Sequence, residues 1–108
     1  MKEATRLELH ETLCSLLGSR YVYFQGPGKA EMHYPCIVYE PNAMTTDHAS
    51  NSPFVIHDHY RIIVIDPDPE SAIPRKIAGL KGARAARPYV SDNLHHWPFD
   101  LWPVKTSA

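Results

Sequence analysis

The sequence predicts an α+β fold: a single, mostly antiparallel sheet of about five strands, with two helices packed on it and a projecting β-hairpin. Three observations lead to this fold class. The 108 residues suffice for one core, so residues 1–108 are expected to form a single domain. Predicted elements follow in the order helix, three strands, helix, two strands, which is typical of α+β layer folds. Residues 54–65 contain neither glycine nor proline and are rich in β-branched and aromatic side chains.

The first helix is predicted over residues 3–17. Leu9, Leu13 and Leu16 recur there at steps of three and four residues, which places them on one face of a helix. Gly18 follows at the position where a glycine commonly ends a helix. These signals indicate an amphipathic helix whose apolar stripe packs on the sheet.

The second helix is predicted after the turn at residues 66–71. Ser71 is its predicted N-cap, and Pro74 falls in the first turn, where backbone N–H groups lack partners within the helix. Gly79 or Gly82 is expected to end it. Its buried stripe is predicted to consist of three apolar residues, Ile73, Ile77 and Leu80.

The strands are predicted over residues 21–24, 34–40, 54–65, 87–91 and 99–102. The third strand changes along its length: residues 62–65 are apolar on both faces, as in a strand covered on both sides, whereas residues 57–61 are polar. Fully extended, it would span about 40 Å, well beyond the radius of gyration of about 13 Å expected for such a domain. We therefore expect its polar half to project as part of a hairpin arm with a tip at residues 41–53.

Composition narrows the classes of function. Eleven basic and twelve acidic residues nearly cancel, without the positive excess of a self-sufficient nucleic-acid-binding protein. The longest aliphatic run, residues 62–65, is far too short to span a bilayer, so no membrane partner is expected. Cys14 and Cys36 form no CxxC motif and are expected to be buried free thiols in a reducing cytoplasm.

Asp66 and Asp68 are the first candidates for catalysis. Two aspartates at this spacing, at the end of a hydrophobic strand, can hold a magnesium ion, as in one large phosphotransferase family. That chemistry needs a lysine, further acidic ligands and a doubly wound sheet, and the 40 residues after Asp68 are too few for such a sheet. The preferred interpretation is a turn whose carboxylates favour the start of the following helix.

Histidines are the second candidates. His57 and His59 share one face of a predicted strand and could bind zinc, but a zinc site needs three or four ligands, and nothing fixes His48 as the third. The pair His95 and His96 resembles part of a nuclease metal motif, yet the chain after His96 contains neither the asparagine nor the histidine that such motifs require. Solvated or interface histidines are therefore the preferred interpretation.

Cys36 is the third candidate, as a nucleophile. A catalytic cysteine needs access and a lowered pKa, whereas Cys36 lies within a strand expected to be packed. We therefore expect no catalytic residue, cofactor or metal site. The residues expected to contact other subunits or partners are Met44, His48, His57, His59, Trp97 and Trp102.

Several segments resemble a family of small tailed-phage and prophage proteins. They are Tyr-Pro-Cys-Ile-Val-Tyr at residues 34–39, Tyr-Arg-Ile-Ile-Val-Ile-Asp-Pro-Asp-Pro-Glu-Ser at 60–71, and Ile-Pro-Arg-Lys-Ile at 73–77. Single residues continue the likeness, namely Tyr89, Asp92, Asn93, Leu94, His96 and Phe99. In order and spacing, over about residues 7–102, the chain resembles the head–tail joining proteins described as tail terminators or minor capsid proteins.

The resemblance implies an α+β subunit that assembles as a hexameric ring on the tail tube, stops its polymerisation and docks to the head connector. The implied partners are further copies of the chain, the tail-tube protein and the head-completion or connector protein, with DNA only passing through the lumen. The implied location is the tail or neck of the virion, and the host cytoplasm during assembly. The family has no catalytic residues to transfer.

Two alternatives to a tail terminator stay open. One is a small metal-dependent hydrolase that uses Asp66, Asp68, His57 and His59. The other is a different structural protein of the neck or the tail tube.

Overall fold

The structure is a computed structural model that describes residues 6–25, 32–42, 45–49 and 52–102, with the backbone alone for 45–49 and 52–57. Over these ranges the chain forms two helices and eight strands. In chain order they are α1 (Arg6–Leu17), β1 (Val22–Phe24), β2 (Cys36–Pro41), β3 (Thr45–Ala49), β4 (Ser52–His57), β5 (Tyr60–Asp66), α2 (Ile73–Ala78), β6 (Ala83–Ala85), β7 (Tyr89–Ser91) and β8 (Leu94–Leu101). Residues 3–5 of the predicted first helix lie outside the described residues.

Six of the strands form one sheet in the order β1-β2-β5-β8-β6, with β7 also paired to β8. β1 and β2 are parallel, and the other pairs of this sheet are antiparallel. At its centre, Ile62 of β5 lies opposite Tyr39 of β2 on one side and Phe99 of β8 on the other. Together with α1 and α2, this mixed sheet confirms the predicted α+β fold class.

The two helices cover one face of the sheet. Residues directly opposite each other in register share a face, and the face that carries Ile62 is buried. The core consists of Leu9, Leu13, Cys14, Val22, Ile37, Tyr39, Ile62, Val64, Ile73, Ile77, Phe99 and Leu101. Each large apolar side chain that is fully buried in this way stabilises the fold by about 1.5–3 kcal/mol.

The opposite face of the sheet is only partly closed. Cys36 and Ile65 lie opposite each other on this face and are buried, whereas Ile63, on the same face, is only half-buried. The prediction that residues 62–65 are covered on both faces is therefore wrong at Ile63. None of the described helices packs on this side, because the core residues of both helices join the face of Ile62.

The ends of the two helices follow the predicted signals only in part. Gly18 ends α1 with φ +83°, and its N–H donates to the carbonyl of Cys14 at 2.9 Å, as a glycine C-cap does. The assigned N-cap of α2 is Ala72, one residue after the predicted Ser71, but Ala72 has helical φ and ψ angles and no side-chain cap. The hydroxyl of Ser71 accepts the N–H of Ile73 at 3.3 Å, which is the hydrogen bond expected of an N-cap serine.

The predicted strand over residues 54–65 is two strands. β4 ends at His57 and pairs with β3, whereas β5 begins at Tyr60 and pairs with β2. The β2–β5 ladder closes where the N–H of Asn42 donates to the carbonyl of His59 at 2.7 Å. Pro41 lies opposite Tyr60 and has no N–H with which to extend the ladder. The projection of the β3–β4 hairpin away from the sheet stays a prediction.

The last two predicted strands are present with different bounds, and the strand predicted at 87–91 is β7 (Tyr89–Ser91). The strand predicted at 99–102 begins at Leu94, because Asp92 and Asn93 adopt φ +52° and +61° and form a two-residue turn that places Ser91 opposite Leu94. β6 was not predicted, since alanine and arginine do not favour strands. Its pairing with β8, Ala83 opposite Leu101, holds it in place.

Candidate functional site

Asp66 and Asp68 build a turn. Asp66 is buried, with 7% of its surface exposed, and its Oδ1 accepts the N–H of Asp68 at 2.9 Å. Oδ1 of Asp68 in turn accepts the N–H of Glu70 at 2.9 Å. Within the described part of the chain, no group of three or more histidine, cysteine, aspartate or glutamate side chains could hold a metal ion. This arrangement agrees with the turn interpretation of these carboxylates.

The described histidines are dispersed. His59 precedes β5 and Asp66 ends it, which separates the two by about 23 Å along an extended strand. His95 stacks on Trp97 with ring centres 5.8 Å apart, and His96 stacks on Tyr89 at 4.7 Å. Met44 and the side chains of His48 and His57 lie outside the described residues.

Both cysteines are free and buried, as predicted. Burial, together with the nearby charge of Asp66, raises the pKa of the Cys36 thiol from 9.0 to about 11. Burial also raises the pKa of Cys14. A nucleophilic cysteine requires the opposite shift, so both thiols are suited to packing.

The two tryptophans expected at an interface differ in their placement, and Trp97 lies on the covered face, opposite Val64 of β5. Trp97 is half-buried and packs against the core. Trp102 is also half-buried, and its backbone N–H donates to the carbonyl of Gly82 at 3.2 Å. The Trp97 side chain therefore has a structural role within the subunit, beside whatever surface it offers to a partner.

His59 takes part in a polar cluster at the point where the chain leaves and re-enters the main sheet. Its Nδ1 lies 2.7 Å from Oδ2 of Asp100 on β8. The Asn42 side-chain amide donates to Oδ1 of the same carboxylate at 3.0 Å. His59 is mostly buried, with 18% of its side chain exposed, and Asp100 is 36% exposed. The cluster fixes both ends of the hairpin to β8.

A row of alternating charges crosses the open face beside this cluster. Glu40 lies opposite Arg61, Arg61 opposite Asp100, and Asp100 opposite Arg84, on four neighbouring strands. Asp100 directs its two oxygens to Asn42 and His59. The arginine side chains of the row are exposed and form no ion pair with the described residues.

A groove of about 490 Å³ lies along this row. Its lining is partly charged and partly apolar: Asn42, Arg61, Ala86, Arg87, Tyr89, Pro98, Phe99 and Asp100. Sequence reasoning missed this groove, because its lining comes from five separate places in the chain: the end of β2, β5, the segment between β6 and β7, β7 and β8. The one available signal was Asp100, a charged residue between Phe99 and Leu101 in an otherwise apolar stretch.

In comparisons with protein-family models, curated proteins and solved structures, the chain matches none of them. No helix in the described ranges is both long enough and apolar enough to cross a membrane.

Proposed function

We propose that this chain is a structural, non-enzymatic subunit of a tailed-phage or prophage virion. It acts as a tail terminator, which caps the tail tube as a hexameric ring and joins it to the head connector. Its partners are copies of itself, the tail-tube protein and a head-completion or connector protein, and DNA only passes through the lumen. It assembles in the host cytoplasm and resides in the tail or neck. The sequence resemblance to tail terminators, together with the α+β architecture, supports this function.

The observation that carries the proposal is the separate two-stranded sheet of β3 and β4. The chain leaves β2 at Pro41, forms this hairpin and returns to the adjacent strand β5 at Tyr60. The described backbone of β3 and β4 pairs only with itself, apart from the main sheet. An isolated two-stranded hairpin is at best marginally stable in water. Contact with a neighbouring subunit would stabilise it, which supports its role as a joining arm.

The outer strand β7 adds support for contacts between subunits. Tyr89 and Val90 of this strand are 43% and 61% exposed. Tyrosine is enriched at protein interfaces, and an outer strand can pair with a strand of another chain. A contact between two different surfaces of neighbouring subunits gives a ring when its rotation closes.

Replacing residues 43–58 with Asn-Gly tests this function. Asn42 and His59 already share a backbone hydrogen bond of 2.7 Å, so a two-residue turn can join them without disturbing β2 or β5. The subunit is expected to keep its circular dichroism and cooperative thermal unfolding. Light scattering and negative-stain microscopy are expected to show loss of rings and of tube capping. Replacement of Asp92 and Asn93 with Asn-Gly, a turn change elsewhere, is the matched control and should assemble normally.

The outcomes separate the parts of this proposal. A folded deletion variant that still forms rings and caps tubes would show that the hairpin is not the joining element. An unfolded one would place the hairpin in the core. If the wild-type protein stays monomeric, both alone and with tail-tube protein, the tail-terminator function is wrong. If it polymerises into tubes, it is a tail-tube protein.

A further inference from the structure

We infer that a groove on the open side of the sheet binds the acidic turn of a second copy of this chain, so that neighbouring subunits join head to tail. The inference rests on the proposed function, because it names the contact that would close the ring. The arginine groove is lined by Asn42, Arg61, Arg87, Tyr89, Pro98 and Asp100, among others. The acidic turn is residues 66–71, Asp-Pro-Asp-Pro-Glu-Ser.

The arginine groove has two guanidinium groups that form no ion pair among the described residues. Arg61 and Arg87 are exposed, and neither forms an ion pair with a described residue. Asp100 of β8 lies opposite Arg61, but its two carboxylate oxygens are hydrogen-bonded to Asn42 and His59 and not to the arginines. The groove therefore presents positive charge and planar, bidentate donors, the groups that recognise carboxylates in proteins.

The acidic turn presents carboxylates in a preorganised geometry. Asp68 and Glu70 are exposed and form no ion pair with the described residues. Pro67 and Pro69 restrict the backbone, and two side-chain-to-backbone hydrogen bonds of 2.9 Å hold the turn. Because the turn is ordered before binding, little conformational entropy is lost when a partner contacts it.

The groove and the turn of one subunit cannot meet each other. Arg61 lies near the start of β5 and Asp66 at its end, about 16 Å away along the strand. The turn then leads into α2, which packs on the covered face, whereas Arg61 belongs to the open face. The two surfaces are thus complementary in charge but far apart. Such a pair joins different subunits in a head-to-tail contact, which closes into a ring or extends as a filament.

Charge reversal on each side tests the contact. The groove variant is Arg61→Glu/Arg87→Glu, and the turn variant is Asp68→Arg/Glu70→Arg. Each alone is expected to raise the protein concentration needed for half-assembly at least about tenfold, or about 1.4 kcal/mol. A 1:1 mixture of the two is expected to restore rings with alternating subunits, since each reversed surface then meets an opposite charge. Lys76→Glu/Lys81→Glu makes the same charge change as the groove variant, at exposed residues outside the groove, and should assemble like the wild type.

Each result distinguishes the inference from the proposed function. If the wild type forms rings and the two reversed variants do so equally well, the inference is wrong and the function stands. If each variant folds but does not assemble, and the 1:1 mixture does not assemble either, the groove does not bind the turn. If the wild type stays monomeric, both alone and with tail-tube protein, both are wrong. Should a reversed variant unfold, Arg61→Gln/Arg87→Gln and Asp68→Asn/Glu70→Gln replace them, and assembly unchanged by both neutral variants overturns the inference.

Discussion

Nδ1 of His59 lies 2.7 Å from Oδ2 of Asp100, a residue 41 positions further along the chain. With Asn42 on the other oxygen, this contact links the beginning and the end of the hairpin segment to the central strand β8. The sheet therefore holds its shape at the junction by side-chain bonds as well as by the backbone ladder. Buried or half-buried polar contacts of this kind specify one arrangement of the strands.

Replacing Asp100 with alanine is expected to lower the free energy of unfolding by about 1 kcal/mol, because His59 and Asn42 lose their shared acceptor. Urea denaturation measures the change. Glu40→Ala, at an exposed carboxylate on the same face, is the control and should cost about 0.5 kcal/mol or less. Equal losses in the two variants would show that the cluster does not stabilise the junction.

Alkaline pH should destabilise the protein through Cys36. Burial raises the pKa of this thiol from 9.0 to about 11. Below pH 9 the thiol is protonated in both the folded and the unfolded protein, so its contribution to stability is fully present. As the pH rises from 9 through 11, the thiol of the unfolded chain ionises first, and this contribution is lost. Between these pH values, the melting temperature should therefore fall more steeply for the wild type than for Cys36→Ala. Burial also raises the pKa of Tyr39, but that residue is present in both proteins.

Substitution of Gly82 and of Gly18 by alanine separates the cost of backbone strain from the cost of a steric clash. Both have positive φ, +86° and +83°. A Cβ at Gly82 would lie 2.2 Å from the carbonyl oxygen of Trp102, whereas at Gly18 nothing lies within 4 Å. Gly18→Ala should cost about 1–2 kcal/mol from strain alone, and Gly82→Ala distinctly more, because the strand end at Trp102 must also shift. Equal melting temperatures for the two variants would contradict the close approach.

Ile62 and Ile63 should differ when truncated. Ile62 is fully buried in the core, so Ile62→Ala should cost about 2–5 kcal/mol by leaving a cavity. Ile63 is half-buried on the open face, and Ile63→Ala should cost less than half as much in dilute monomer. Chemical denaturation at low protein concentration measures both. A loss at Ile63 as large as that at Ile62 would mean that something covers the open face even in the monomer.

The predictions from sequence were accurate where local signals agree with the tertiary fold. The leucine spacing and Gly18 located α1, and the apolar run at 62–65 located β5. They were inaccurate where tertiary pairing decides the structure. The Ala-Arg-Ala segment of β6 is a strand only because β8 pairs with it, and residues 54–65 are divided because Asn42 bonds to His59.

The candidate site shows the same division. His59 was singled out from its type and position, but its partner Asp100 is 41 residues away and no local pattern connects the two. Arg61 and Arg87 were not singled out either, because a pair of arginines 26 positions apart becomes one surface only through the register of β5, β8 and β6. Such sites depend on the sheet topology, which periodicity does not determine.

Strand β8 imposes an order on folding. It is bonded to β5 along one edge and to both β6 and β7 along the other, and on this side of β5 Tyr60 pairs with Leu101, 41 residues further along the chain. Pairings so far apart in the chain form slowly, because a long loop must close before any contact is gained. A growing polypeptide that has emerged only as far as Ser91 carries the apolar strand β5 with one bare edge, the kind of edge that aggregates unless it is covered. The main sheet is therefore completed only after residues 94–101 become available.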